Sequence, residues 1–284
     1  VKEAYLSLAK HNKRTLDPSK ADFFIISLSL FTFKFVKYDI LEIENKIKKL
    51  LFIDSKKPHI FFDFSNLESK LIDHPNLVYF KSSMNKNNYD TNKDISIPYF
   101  PLYVFDDEDI EKSSERLVLA SFRGDLKNKL RKRLNKYSSV DLVIKDNTII
   151  EFEIDEELNY KVLNHENLES YINLLENSKF TIIPYGSSIG LSYRFIETLS
   201  KGSIPVIISD NLVLPFNDLL NYNNFTVVVK EKSLKNLEDN LKKVNNLDNL
   251  QKNALLIYNT YFSSIDKIIS TSLMIYEMKC GKFI

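Results

Sequence analysis

Residues 180–209, FTIIPYGSSIGLSYRFIETLSKGSIPVIIS, place two short apolar runs on either side of a glycine- and serine-containing loop and a helix-patterned segment. The chain has 5 glycines, and three of them, Gly186, Gly190 and Gly202, fall here. A continuous rather than alternating apolar run reads as a strand buried on both faces, the signature of a parallel sheet. The unit is therefore strand (FTIIP), loop (YGSSIG), helix (LSYRFIETL) and strand (IPVIIS). In open α/β sheets ligands sit beyond the carboxyl ends of the strands, so a site is expected at the YGSSIG loop. Glycines let that loop turn tightly and let backbone N–H groups approach a ligand. The positive end of the following helix suits a phosphate.

The same alternation extends in both directions. Upstream, a short helix at the start of the chain is followed by a turn at Asp17-Pro18 and the apolar run FFIISL. A helical pattern over DILEIENKIKKLLFID and the strands HIFF and NLVYF come next. DISIPYFPLYVF, with two prolines, reads as a crossover without regular structure. An acidic, serine-containing stretch at 106–115 suggests a boundary. After it come the strand RLVLASF, an Arg123-Gly124-Asp125 turn, the basic helix LKNKLRKRLNKY, the strand VDLVI and the helix HENLESYINLLENS. Downstream of the opening unit lie the strand FTVVVK and two amphipathic helices, about 233–245 and 248–278. No internal repeat is present. Strands alternating with helices in both halves predict an α/β protein with two Rossmann-like domains facing each other across a cleft.

Composition narrows the function. The chain of 284 residues is 44% hydrophobic and 27% charged, an ordinary globular balance. Lys plus Arg total 39 against 38 for Asp plus Glu, which argues against a dedicated nucleic-acid binder. The single cysteine, Cys280, rules out an intrachain disulfide and a cysteine-based zinc site. The longest apolar run, Phe23 to Phe33, is too short to span a bilayer, and no signal peptide is visible. These features predict a soluble, cytoplasmic protein without a transmembrane segment. A first residue of Val leaves room for an N-terminal anchor beyond it.

Arg194 and Glu197 stand three residues apart on the helix of the opening unit, so their side chains share a face. The ordinary reading is an ion pair on a solvated surface. The sharper one is ligand binding: an arginine forks onto phosphate oxygens, and a glutamate accepts from the hydroxyls of a ribose. A nucleoside diphosphate carries both groups.

Residues 177–231 resemble the C-terminal signature of the exostosin family of glycosyltransferases, family 47. Its Ser-x-Arg-Phe-x-Glu-Ala-Leu, Gly-Cys-Ile-Pro-Val and Leu-Pro-Phe elements are matched by Ser192, Arg194, Phe195, Glu197 and Leu199, by Gly202, Ile204, Pro205 and Val206, and by Leu214, Pro215 and Phe216. Thr198 and Ser203 depart from the usual Ala and Cys. RTLDPSKADFFIISL, PHIFFDFSN, DISIPYF and RLVLASFRGDLKNKLRKRL resemble further family motifs in the same order, so the likeness covers almost the whole chain.

The resemblance implies the GT-B architecture, with an N-terminal Rossmann-like acceptor domain (1–110) and a C-terminal Rossmann-like donor domain (111–260). A C-terminal helix (261–284) would be able to pack back toward the N-terminal domain. It implies an inverting, metal-independent transfer of a sugar such as xylose, glucuronic acid, galactose or arabinose from a UDP-sugar to a hydroxyl of an oligosaccharide or glycoprotein acceptor. No cofactor is expected beyond the nucleotide-sugar. The acidic run at Asp106 to Asp109 then reads as solvated interdomain charge rather than a metal site.

Donor-binding candidates are Arg194, Arg131 and the alternative Arg123 for the diphosphate, Glu197 for the ribose, and Gly124, Tyr185, Gly186, Ser187 and Ser192 around them. The general base is expected from the N-terminal domain, with Asp63 first because it ends the strand HIFFD, and Asp73, His74 and His11 as alternatives. Two rivals stay open: a nucleotide-sugar epimerase on a similar frame, and a degenerate, catalytically inactive exostosin-like module that binds glycan or nucleotide-sugar without turnover. A chain rich in Lys, Asn and Ile fits a microbial or viral enzyme that decorates surface glycans.

Overall fold

The computed structural model describes residues 2–26, 40–49, 56–64, 70, 72, 74–82, 84–99, 110–145, 152–154, 160–162, 165–185 and 190–280. In the N-terminal half, helix α1 (Lys2–Lys10) precedes strand β1 (Phe24–Ile26), helix α2 (Ile40–Lys48) and strands β2 (His59–Asp63), β3 (Leu77–Lys81) and β4 (Ile95–Ser96). The strands make a parallel sheet in that order. Every residue of β2 and β3 is buried. Because successive side chains point to opposite faces, Ile60, Phe62, Val78 and Phe80 enter one apolar cluster, while Phe61, Leu77 and Tyr79 enter another. The expectation that DISIPYF lacks regular structure is corrected: Ile95 and Ser96 pair with Phe80 and Lys81. Two residues of strand leave too short a pattern to read from sequence.

The C-terminal half runs β5 (Val118–Arg123), α3 (Lys129–Asn135), β6 (Leu142–Lys145), an antiparallel pair β7 (Phe152–Ile154) and β8 (Tyr160–Val162), and α4 (His165–Glu176). It continues with β9 (Ser178–Pro184), α5 (Arg194–Ser200), β10 (Ile204–Ile208), β11 (Val227–Val229), α6 (Leu237–Lys242), α7 (Leu247–Ile257) and α8 (Ile265–Lys279). The β7–β8 pair is not anticipated by the sequence reading. The main sheet is parallel, in the order β11-β10-β9-β5-β6. The chain leaves β5 for β6 on one side, then returns to β9 on the other and continues outward. The winding direction therefore reverses between β5 and β9, and their carboxyl ends, Arg123 and Pro184, flank the switch point where such sheets bind ligands.

The single long helix expected at 248–278 is also corrected. A π-helical turn, Tyr258–Phe262, and a cap at Ser264, whose side chain accepts from Lys267 N at 3.2 Å, separate α7 from α8. The local signal is Ser264 with Asp266 in the first turn, both of which favour a helix start. Buried Tyr258 and Phe262 from this break join the cluster that holds Ile60, Phe62 and Phe80 of the first sheet and Ile183 and Ile207 of the second.

Helix α8 returns to the N-terminal half. The rings of Tyr276 and Phe80 lie 5.8 Å apart, Lys13 pairs with Glu277 at 3.1 Å, and Lys279 donates to the Asp94 carbonyl at 2.7 Å. The loop after β10 also crosses over. Phe216 N donates to Ser96 O at 2.7 Å, and Ser96 Oγ donates to Val213 O at 2.8 Å. Phe216 adopts a left-handed φ of 53°. A non-glycine residue there costs roughly 1–2 kcal/mol, offset by a parallel stack on Phe262 at 5.3 Å. Among the described residues no helix is long and apolar enough to cross a membrane.

Candidate functional site

The loop after β5 and the start of α5 meet at the switch point. Arg194, the first residue of α5, is 8% exposed and lays its guanidinium over the Phe122 ring at 4.8 Å. Its Nη2 donates to the Arg123 carbonyl. Gly124 makes room for this: a Cβ there would stand 2.9 Å from Arg194 Nη2 and 3.2 Å from Phe122 Cζ. The glycine is needed first for the arginine. Arg131, on α3, approaches the same ring at 5.6 Å, and its Nη1 donates to Asp125 O at 3.1 Å. The Asn128 side chain caps α3 by accepting from Arg131 N at 2.8 Å, which fixes where the arginine starts.

Glu197, one turn along α5, is 6% exposed. One carboxylate oxygen, Oε2, accepts from the Tyr171 hydroxyl at 2.7 Å. Burial pushes the Glu197 pKa above the usual carboxylate range, against the opposing pull of the Tyr171 hydrogen bond and the Arg194 charge. Burial, and then the like charge of Arg194, depress the Arg131 pKa, with Asp125 acting in the other direction. Two guanidiniums, those of Arg131 and Arg194, thus converge here with the buried carboxylate of Glu197 and the more exposed one of Asp125. Among the described residues, Nε of Arg123, Arg131 and Arg194 and Oγ of Ser192 are buried without a hydrogen-bond partner. Buried donors left open beside two converging guanidiniums are suited to an anionic ligand with several oxygens.

The other expected site residues divide. Arg123 turns its guanidinium away from Arg194, onto the Asn167 carbonyl at 3.3 Å and Asn167 Oδ1 at 3.1 Å. Its backbone carbonyl, rather than its charge, serves the site. Tyr185 is half-buried against the core of the second sheet, and its carbonyl accepts from Asn128 Nδ2 at 3.3 Å. Gly186, Ser187, Asp73 and the acidic run 106–109 lie outside the described residues.

Asp63 needs correction as a general base. It ends β2 opposite Lys81 of β3, and the two pair at 2.5 Å with both side chains 0% exposed. That is a structural ion pair and not a carboxylate open to an acceptor hydroxyl. His74 precedes β3 and so lies at the amino edge of the sheet, opposite the edge that Asp63 occupies, with Nδ1 accepting from Asn76 N at 3.2 Å. His11 follows α1, and its Nδ1 accepts from Lys13 N at 3.3 Å.

Sequence reasoning missed Tyr171, Phe122 and Asn167. None carries a local signal, since a tyrosine on a helix or a phenylalanine in a strand reads as packing. It also missed Arg116, whose guanidinium bonds the carbonyls of Leu175, Ser178 and Lys201 and ties the amino ends of β5 and β9 to the end of α5.

Two parallel, helix-flanked sheets, with buried arginines at the switch point of the second, form an architecture of the GT-B class. The family model described as Exostosin GT47 domain matches residues 52–244, and the chain belongs to the exostosin family. An Exostosin-1 homolog from Caenorhabditis elegans is 36% identical over 100 residues, covering 34% of this chain and 26% of that protein. Exostosin-1c from Danio rerio is 35% identical over 120 residues, covering 40% of this chain and 16% of the relative. The chain thus matches about a quarter or less of the length of these relatives. The solved structure of TarM aligns with 78% of this chain and 51% of its own at 8% identity and a TM-score of 0.42, a likeness too loose to bear on chemistry.

Proposed function

We propose that this chain is an inverting glycosyltransferase that takes a sugar from a UDP-sugar and delivers it to a hydroxyl of a glycan acceptor, without a metal ion or further cofactor. One observation carries this function: Arg194 and Arg131 converge on Phe122 beside buried Glu197 at the β5/β9 switch point. Family membership supports the reaction class.

In this scheme Arg194 and Arg131 hold the diphosphate and Glu197 accepts from the ribose. The acceptor oxygen attacks the anomeric carbon from the face opposite the nucleotide. The bond from that carbon to the β-phosphate oxygen breaks, and the electron pair leaves with UDP. The two guanidiniums neutralise the charge that grows on the departing diphosphate, the role a divalent ion takes in other enzymes. The hydroxyl proton passes to a general base. With Asp63 tied to Lys81, Asp73 and His11 are the candidates carried forward. The donated sugar is one of xylose, glucuronic acid, galactose or arabinose, and the acceptor is an oligosaccharide or glycoprotein. We place the enzyme in the cytoplasm of a microbe or in a viral system.

Calorimetric titration and thermal melting with UDP, GDP, CMP and a panel of UDP-sugars, each with and without EDTA, test this. UDP and one UDP-sugar are expected to raise the melting temperature regardless of EDTA, because a ligand bound only by the native state stabilises it. Arg194→Ala and Glu197→Ala are expected to abolish the shift. A wild-type protein that no nucleotide stabilises at millimolar concentration overturns the proposal. Binding without transfer to any acceptor leaves the inactive module instead.

A further inference from the structure

Helix α4 lies over β5 and β9 and supports the switch point at two places one turn apart. Asn167 receives the Arg123 guanidinium, and Tyr171, on the same helical face at i+4, donates its hydroxyl to Glu197 Oε2 at 2.7 Å. Tyr171 is 2% exposed and Glu197 6% exposed, so water does not compete for this bond. A phenylalanine would fill nearly the same volume. The hydroxyl is therefore the part of Tyr171 that has a specific task.

A buried carboxylate without a hydrogen-bond partner is free to rotate about its terminal torsion, a broad twofold well. A bond to one oxygen ends that freedom. It fixes the carboxylate plane and commits Oε2, so that Oε1 is the oxygen left for a ligand. Burial, and then the charge of Glu197, push the Tyr171 pKa well above its usual value, so its proton stays in place throughout the neutral range. The hydroxyl is a constant donor and not a switch.

We propose that Tyr171 is a positioning residue that sets Glu197 to read the ribose hydroxyls, making the site selective for ribonucleoside over 2′-deoxyribonucleoside diphosphates. This rests on the assignment of Glu197 to the ribose. Tyr171 itself touches no ligand. It acts by holding the glutamate at the angle a sugar hydroxyl requires, so its effect is greatest on a ligand that carries that hydroxyl.

The experiment compares dissociation constants of UDP and 2′-deoxy-UDP for wild type, Tyr171→Phe, Glu197→Gln and the double variant. Wild type is expected to prefer UDP by about tenfold or more, the value of one hydrogen bond to a charged group. Tyr171→Phe is expected to weaken UDP by about tenfold and leave 2′-deoxy-UDP within twofold of wild type, so the preference collapses. A role in packing alone would weaken both ligands equally and preserve the ratio, and that result overturns the proposal.

Glu197→Gln separates the two levels of inference. If it leaves the wild-type preference intact, Glu197 does not read the ribose and the assignment beneath the proposal fails. If it removes the preference while Tyr171→Phe keeps it, only the role of Tyr171 fails. Should Tyr171→Phe alone not fold because it exposes a buried charge to an apolar wall, the double variant removes that charge. It is then expected to bind both nucleotides as Glu197→Gln does. Weaker UDP binding by the double variant than by Glu197→Gln would also overturn the proposal.

Discussion

Gly124→Ala places a methyl group where the Arg194 guanidinium lies. The new Cβ would stand 2.9 Å from Arg194 Nη2, 3.2 Å from Phe122 Cζ and 3.7 Å from Arg194 Cζ. Heavy atoms in apolar contact settle near 3.5–4.0 Å, so the guanidinium has to slide by roughly half an ångström or more. It then loses its line to the Arg123 carbonyl. The backbone raises no objection, because Gly202, and not Gly124, is the described glycine with a left-handed φ. A charge-assisted hydrogen bond contributes about 1.5–3 kcal/mol, and the stiffer unfolded chain returns about 0.4–1 kcal/mol. The net loss of stability is about 1–2 kcal/mol, a fall of a few degrees in Tm for a chain of this size. UDP affinity should fall further, by about ten- to a hundredfold, since the displaced arginine no longer meets the diphosphate.

Gly202→Ala is the control. Gly202 has φ +62°, and a Cβ there would meet Ile110 Cγ2 at 2.6 Å. Left-handed strain of about 1–2 kcal/mol and overpacking of about 1–3 kcal/mol make it the more destabilising change, with UDP affinity of the folded protein retained. Calorimetry for affinity and thermal melting for stability separate the two. Wild-type UDP affinity in Gly124→Ala, or an equal loss in Gly202→Ala, would refute the claim that Gly124 exists to seat Arg194.

Asp63→Asn removes the carboxylate of a buried ion pair and is expected to cost about 3–5 kcal/mol in urea unfolding. Asp63→Leu combined with Lys81→Met should recover most of that, and an equally unstable double variant would sink the ion-pair account. For Glu197 the sign follows from a folded pKa raised above the unfolded value. Its contribution is full below the unfolded pKa, about 4.3, and is lost as pH rises through the folded value. Without ligand, Glu197→Gln should therefore gain stability relative to wild type between acid and neutral pH. A constant difference across that range in urea titrations would count against it.

Much of the frame is legible because parallel strands carry their burial in consecutive residues. HIFFD, LVYFK, SKFTIIP and IPVII are apolar without alternation since both faces of each strand are covered. The elements that escape notice are those too short to show a period: β4 with two residues, and β7 and β8 with three each. The break at Tyr258–Phe262 escapes because its own apolar residues, Tyr258, Tyr261 and Phe262, recur at helical spacing.

Within the site, Arg194 and Glu197 are readable because three residues on a helix fix their common face whatever lies around them. The sequence by itself therefore determines the sheets, the loop and this pair. Only the tertiary structure brings Phe122 and Gly124 beneath Arg194 from about seventy residues away, and Tyr171 onto Glu197 from 26 residues away. It also closes Asp63 onto Lys81 across two strands, converting an expected base into a buried ion pair. Spacing along a chain specifies neighbours within one helix or strand. Which residue of a distant element completes a hydrogen bond or a charge depends on how the layers pack, and that is decided by the whole core at once.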